Sequence, residues 1–282
     1  PFNYSYGFSV LNTHLYAGGT TIITNETILN RSFWDKFVKY KINNLNFVPY
    51  TFEILKKIKL ENFNLKNLKF ITQAGGHLDS QLTLFFYNLF KKRKINFFKM
   101  YGQTEASPRM AYIKNNNIKK KINSIGKAIS GGKFHITNEK GVEVLKNNTK
   151  GELNYKGKNV CMGYANNFYD LSKRNENKNL LKTGDIAYRD EDGFFYIVGR
   201  KKRFIKMFGY RINLDEIELF IKNKFSLKSV ILNKDDFLVL LVYKKIKNTD
   251  LIINYINSLT KINKKFIKII KIDKLPLNQS GK

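Results

Sequence analysis

The chain has 282 residues, 43% of them hydrophobic, and a single cysteine, Cys161, which excludes a disordered polymer and any internal disulfide. Lys and Arg number 51 against 22 Asp and Glu, a formal charge of +29. That much basic charge would attract nucleic acid or an anionic membrane, yet the lysines are scattered and cluster only briefly at 118–122 and 199–204. The accompanying wealth of Asn, Ile, Phe and Tyr fits an AT-rich genome better than a polyanionic partner. No apolar run reaches the length of a membrane-crossing helix. One thiol fits a reducing compartment, so a cytoplasmic protein is expected. The opening "PFNYSYGFSV" has neither a basic leader nor an initiator Met, as expected of a piece of a longer chain.

In chain order, "GGTTIIT" (18–24) predicts a strand, because β-branched residues follow a glycine turn. "SFWDKFVKY" (32–40) has helical apolar spacing, "NLNFVPY" (44–50) reads as a short strand stopped by Pro49, and "TFEILKKI" (51–58) as a helix. "NLKFITQAGG" (67–76) is a strand running into glycines, "SQLTLFFYNLFKK" (80–92) a helix with an apolar face, and "INFFKMYG" (95–102) another strand. Strands alternating with helices predict a parallel sheet covered on both faces.

After about residue 110 the texture changes to short strands between glycine turns, "GGKFHIT", "GELNYKG" and "GFFYIVGR", which predicts a small β-barrel or antiparallel sheet. Beyond about residue 203 it changes again. "NLDEIELFIKNKF" is an amphipathic helix with Asn213 as its N-cap and acids in its first turn. The strands "SVILN" and "FLVLLVYKK", the helix "DLIINYINSLTK" and the strand "FIKIIKI" complete a compact α+β module. The expected class is α/β. It comprises an α/β part at 1–110, a β-rich, barrel-like part at 111–201, and a small α+β part at 202–282.

Ligands of open parallel sheets sit beyond the carboxyl ends of the strands. Two such ends carry chemistry: "ITQAGG", closing at Gly75–Gly76, and "FFKMYGQTE", closing at Tyr101–Glu105. There a ring can stack on a base, Gly102 leaves a bare backbone, Thr104 can bond phosphate and Glu105 can hold Mg²⁺, a hard ion that takes oxygen ligands. Asp185 follows Thr183–Gly184 in an expected tight turn, where a carboxylate can take both hydroxyls of a ribose. Arg200 ends a strand and can neutralise phosphate. Lys282 closes the terminal "NQSGK". Taken singly, each has an ordinary reading: a glycine after a strand is usually a turn, and a turn lysine is usually solvated.

Taken together, these stretches resemble the adenylate-forming superfamily of acyl-CoA synthetases, luciferases and peptide-synthetase adenylation domains. "MYGQTEA" (100–106) resembles its adenine and Mg-ATP motif and "GELNYKGKNVCMGY" (151–164) its barrel motif. "KTGDIAYRDEDGFFYIVGRKKRFIKMFGYRI" (182–212) resembles the ribose motif and hinge, and "LPLNQSGK" (275–282) the catalytic-lysine motif. "YSYGFSVLNTHLYAGGTTII" (4–23) resembles the region of the acyl-pocket helix. The resemblance implies an AMP-forming ligase with an incomplete large domain followed by a mobile lid. ATP and Mg²⁺ would activate a small carboxylic acid, which passes to CoA or to the phosphopantetheine of a carrier protein.

It further implies that Lys282 bridges carboxylate and α-phosphate, Thr104 touches phosphate, and Glu105 fixes Mg²⁺. Tyr101 and Gly102 would lie on the adenine, Asp185 on the ribose, Arg200 near ribose and phosphate, and Gln73, Gly75 and Gly76 on the adenine and acyl pocket. Lys202 would be the hinge and Gly209 would border the pantetheine tunnel. The phosphate loop of the family would lie upstream of Pro1, so the 282 residues alone are expected to be inactive. A Tyr stands at position 4 where many relatives have His, and "RKKRF" is more basic than the usual hinge. A nucleic-acid-binding protein has no helix-turn-helix, zinc or RRM-type motif to support it. A metalloenzyme is disfavoured by the isolated His14, His77 and His135, and a non-catalytic member by the presence of Glu105, Asp185 and Lys282 together. The acid itself is not legible: fatty, aryl, hydroxy and amino acids stay open, with an amino acid slightly disfavoured.

Overall fold

The computed structural model describes residues 2–243, 246 and 248–273. Its first sheet has five strands in sequential order: β1 (Asn44–Phe47), β2 (Phe70–Gln73), β3 (Asn96–Tyr101), β4 (Ala111–Lys114) and β5 (Lys127–Ala128). β1, β2 and β3 are parallel, and β4 and β5 are antiparallel additions. The difference from an all-parallel sheet follows from chain length. A parallel partner for β3 would need a crossover of roughly a dozen residues or more, whereas only residues 102–110 separate β3 from β4. The change of texture at residue 110 therefore falls inside this sheet.

Side-chain alternation decides what covers each face. Leu45, Ile71 and Phe97 enter one core with Phe37 of α2 (Arg31–Lys39), Phe52 and Leu55 of α3 (Pro49–Lys57), and Phe86 and Phe90 of α4 (Ser80–Lys92). The α4 boundaries match the sequence pattern because Asp79 caps the helix, accepting from the amides of Gln81 and Leu82. On the opposite face of β1 and β2 stand Asn44, Asn46 and Thr72, and they meet α1 (Ser5–Tyr16) through hydrogen bonds. Tyr6 and Thr72 hydroxyls lie 2.5 Å apart, Thr72 Oγ1 donates to Asn46 Oδ1 at 2.5 Å, and Asn44 Nδ2 lies 2.8 Å from His14 Nε2.

The strand expected at 18–24 is not formed. Its β-branched residues meet no neighbouring strand among the described residues, and β-propensity expresses itself only where a pleated partner exists.

Four antiparallel strands make the second sheet: β6 (Gly132–Thr137), β7 (Gly151–Gly157), β8 (Leu180–Arg189) and β9 (Phe195–Arg200). It is an open antiparallel sheet, one of the two forms the sequence predicts, and its four strands do not close into a barrel. The edge strand β9 is instead bridged to the first sheet, where Phe195 pairs with Gly126. Phe134, Tyr155 and Phe195 fill the core beneath.

A short helix, α5 (Asn115–Ile118), follows β4, and after β9 a hairpin of β10 (Phe204–Met207) and β11 (Tyr210–Asn213) leads into α6 (Leu214–Phe225). The N-cap of α6 is Asn213, as its sequence predicts. The last sheet joins β12 (Ser229–Lys234), β13 (Phe237–Val242) and β14 (Ile267–Lys271), and it packs with α6 and α7 (Thr249–Thr260) around Ile221, Ile231, Leu240 and Ile256. This part touches the rest through ion pairs such as Lys228–Glu53 at 3.1 Å and Lys222–Asp79 at 3.7 Å. No described helix is long and apolar enough to cross a membrane.

Lys99, on β3, is an anomaly in the first core: it is 6% exposed, and its ammonium donates to the Ile122 carbonyl at 2.5 Å. Burial pulls it down to about 8. The charged form is therefore penalised in the fold at every pH below about 8, and the penalty is relieved as pH rises from there toward the unfolded value near ~10.4. Lys99→Met should raise stability at pH 7 by about 2 kcal/mol, and the variant should lack the gain in stability that the parent shows above pH 8. Urea midpoints at pH 7 and 9.5 check both; equal midpoints for parent and variant at pH 7 would refute it.

Candidate active site

β3 delivers Tyr101 to the carboxyl edge of the first sheet, and the chain then folds back sharply. A Cβ on Gly102 would lie 1.3 Å from the Pro108 carbonyl oxygen, so only glycine admits this approach. The Met110 amide returns to the Tyr101 carbonyl at 3.0 Å, closing the loop. Asn159, a residue the motifs did not single out, pins that loop from outside. Its Nδ2 donates to the carbonyls of Ala106 at 2.6 Å and Arg109 at 3.1 Å. Within the loop a short 3₁₀ turn, Thr104–Ala106, presents Thr104 and Glu105. Thr104 shares a hydrogen bond with Ser5 of α1 at 2.9 Å, and Glu105 accepts from the Tyr164 hydroxyl at 2.7 Å.

Asp185 is not in a tight turn. β8 continues through it, and Gly184, at φ +70°, lies beside a local shift of register. Asp185 stands directly opposite Arg200 on β9, which places Arg200 Nε 2.9 Å from Asp185 Oδ1. The other oxygen, Oδ2, accepts from the Tyr101 hydroxyl at 2.5 Å and from Gln103 Nε2 at 3.3 Å. Asp185 is 3% exposed, so this carboxylate is desolvated and held by donors from three elements. Burial, and then the Asp185 charge, push the Tyr101 phenol well above its ordinary range, so Tyr101 remains a donor at any physiological pH.

These groups surround one cavity of about 440 Å³. Tyr101, Gly102, Thr104, Glu105, Gly75 and Arg200 line it, and Tyr4, Ser5 and Tyr6 of the α1 region and Arg109 form further wall. Glu105 and Tyr164 also border a second, more open cavity of about 590 Å³ with Lys156, Lys178 and Lys182. Asp185 sits directly behind Tyr101 and Arg200.

Other predicted residues fall elsewhere. Gln73 is buried, its amide turned to the Gly76 carbonyl at 2.9 Å, and neither residue lines the cavity. Lys202 is exposed in the 3₁₀ turn Lys201–Arg203 between β9 and β10. Gly209 is the second residue of the two-residue turn joining β10 to β11, at φ +83°, and a Cβ there would meet nothing within 4 Å. Conformation, rather than crowding, requires glycine at that point in this structure. Lys282 lies outside the described residues.

Sequence reading also passed over Arg203, whose guanidinium holds Asp215, Glu218 and the Ile231 carbonyl and so ties the segment after β9 to α6 and β12. The basic run "RKKRF" concealed it.

A magnesium ion fits the donor set. Among the described residues no three carboxylate, His or Cys groups cluster, and Mg²⁺ commonly takes one or two protein carboxylates and completes its shell with water and substrate phosphate. Glu105, on the cavity wall, is such a carboxylate.

The family model for AMP-binding enzymes matches residues 1–165. Luciferin 4-monooxygenase of Photuris pensylvanica is 30% identical over 222 residues, which is 77% of this chain and 39% of that protein. A probable 4-coumarate–CoA ligase of Dictyostelium discoideum is 30% identical over 223 residues, 78% of this chain and 40% of that protein. The chain thus spans about two fifths of the length of the curated relatives it matches. O-succinylbenzoate coenzyme A synthetase of Bacillus subtilis, solved in complex with AMP, superposes with a TM-score of 0.78 at 21% identity over 100% of this chain and 58% of its own. With more than half its residues matched by that model, and with its strand-end motifs gathered on one cavity, the chain belongs to the AMP-binding enzyme family.

Proposed function

We propose that the complete protein activates a carboxylic acid with ATP and passes the acyl group to a thiol, that of CoA or of a carrier-protein phosphopantetheine, in the cytoplasm. One observation carries this reading: Tyr101, Thr104, Glu105 and Arg200, from separate strand ends, converge on a single cavity backed by the buried Asp185. In the first step a carboxylate oxygen attacks the α-phosphorus of ATP, the bridging P–O bond breaks, and pyrophosphate leaves. In the second the thiol sulfur attacks the acyl carbonyl, its proton passes to solvent, and AMP departs with the electrons of the C–O bond.

Two anions must meet in the first step, so fixed donors and cations aimed at the developing charge dominate the barrier. Lys282 bridges the carboxylate and the α-phosphate, and Thr104 donates to phosphate. Glu105 holds Mg²⁺, which when bound neutralises the polyphosphate. Tyr101 flanks the adenine. Asp185 receives ribose hydroxyls in place of the 3.3 Å contact from Gln103, while Arg200 stays near the ribose and phosphate. Gly75 approaches the nucleotide from β2, with Gln73 and Gly76 shaping that turn. Residues 1–110 and 111–201 act as parts of the large domain, and 202–282 as a lid that turns about Lys202 and brings Gly209 to the pantetheine.

Pyrophosphate exchange by the full-length protein, run against a panel of acids, tests the whole reading; no exchange with any acid would end it. Lys282→Ala should lower adenylate formation by ~10²–10³ and spare the conversion of supplied acyl-adenylate to thioester. Lys282→Arg should rescue poorly, because a planar fork does not replace a compact ammonium. Two half-reaction assays separate these outcomes, and a Lys282→Ala enzyme that adenylates normally would remove the assignment.

A further inference from the structure

Arg109 is a cation of the cavity wall with little to hold it. Its Nε is buried without a hydrogen-bond partner, and its guanidinium makes one long side-chain contact, from Nη2 to Thr13 Oγ1 at 3.3 Å. Among the described residues no carboxylate lies within 4 Å of it. Arginines elsewhere are better held: Arg200 has Asp185, Arg203 has Asp215 and Glu218, and Arg189 has Asn147 and the Leu145 carbonyl. The ionisable group that bears most on Arg109 is Tyr6, a phenol that burial keeps neutral.

The position of Arg109 is nonetheless well defined. Asn159 holds its carbonyl, and the next amide, that of Met110, is bonded to Tyr101. The backbone is thus fixed, and Arg109 forms part of the cavity wall with its guanidinium beside α1, in contact with Thr13 and near Tyr6, which lines the same cavity. Thr104 and Glu105 belong to the same loop and the same cavity.

A partly desolvated cation without a carboxylate partner is costly unless something in the bound state pairs with it. A fatty or simple aryl acid would deepen that cost by displacing water and offering nothing in return. We propose that Arg109 is a specificity-determining residue that pairs with a second carboxylate on the acid, so that the substrate is a dicarboxylic acid. One carboxylate is activated beside Thr104 and Glu105, while the other forms charge-assisted hydrogen bonds with the Arg109 guanidinium. The inference rests on the adenylation reading and narrows its substrate class.

The test is pyrophosphate release by the full-length protein. It uses dicarboxylates from malonate to sebacate, with terephthalate, each paired with the monocarboxylate of the same carbon skeleton. At least one dicarboxylate should exceed its partner by ~100-fold in kcat/KM, mainly through KM, because a site built to bond a polar group rejects the analogue lacking it. Arg109→Met should erase that preference, lowering the dicarboxylate and raising the monocarboxylate, and Arg109→Lys should keep part of it. Preference for the monocarboxylate in every pair overturns the proposal, as does an Arg109→Met enzyme that loses both members of each pair by the same factor. No release with any acid, alongside failure to bind AMP, overturns the adenylation reading itself. Release without dicarboxylate preference overturns only the role of Arg109.

Discussion

Replacing Asp185 with alanine should cost the protein about 3 kcal/mol of stability and most of its nucleotide affinity together. The carboxylate is 3% exposed and accepts from Tyr101 and Gln103 while pairing with Arg200. Removing it strands the Tyr101 hydroxyl, a buried donor whose loss of partner costs ~1–3 kcal/mol. The Arg200 guanidinium is about half exposed and recovers part of its loss from water. Asp185→Asn keeps the volume and some hydrogen bonding but not the charge, so it should fold better than the alanine variant and still bind AMP weakly. Urea unfolding and equilibrium dialysis of AMP give both quantities. An alanine variant with an unshifted midpoint would mean that the cluster stabilises nothing, and one with full AMP affinity would remove Asp185 from the ribose.

Gly102→Ala should be at least as severe for the site, at roughly 3 kcal/mol or more, since overpacking against atoms that cannot yield exceeds the usual cost of an added methyl. The obstacle is backbone: the Pro108 carbonyl oxygen at 1.3 Å and its carbon at 2.5 Å from the added Cβ. The loop would have to open, breaking the Met110–Tyr101 hydrogen bond and displacing Thr104, Glu105 and Arg109 at once. Gly209→Ala makes the contrast, because a methyl there meets nothing and pays only for its positive φ, ~1–2 kcal/mol. Thermal unfolding and AMP binding measured on both variants decide the matter. A Gly102→Ala protein as stable as Gly209→Ala and still able to bind AMP would show that the loop tolerates another course.

Much of the local structure was legible in the residues. α4 was readable to its ends because Asp79 and the apolar spacing from Leu82 to Phe90 are local signals with a local cause. The same holds for Asn213 and the acids that follow it at the start of α6. Thr104 and Glu105 were legible as polar residues at a strand end, a place where open sheets gather ligands. Three features were not legible: the missing strand at 18–24, the antiparallel course of β4 and the strand around Asp185. Each depends on which segment lies alongside, and a single segment carries no record of its neighbour.

Arg109 shows the same limit from the side of function. In a chain with 51 basic residues nothing in the letters singles out Arg109, and only packing reveals that it lines the cavity with no carboxylate beside it among the described residues. What the sequence determined by itself was the run of helices and strands from α2 to β3 and from α6 to β14, the Asn213 cap, and the family to which its motifs belong, because those rest on spacing and backbone preference along the chain. The tertiary structure decided that Asp185 lies buried between Tyr101 and Arg200, that Gln73 turns away from the cavity and that Arg109 enters its wall. Those are contacts between residues as many as 84 positions apart, set by how the sheets meet.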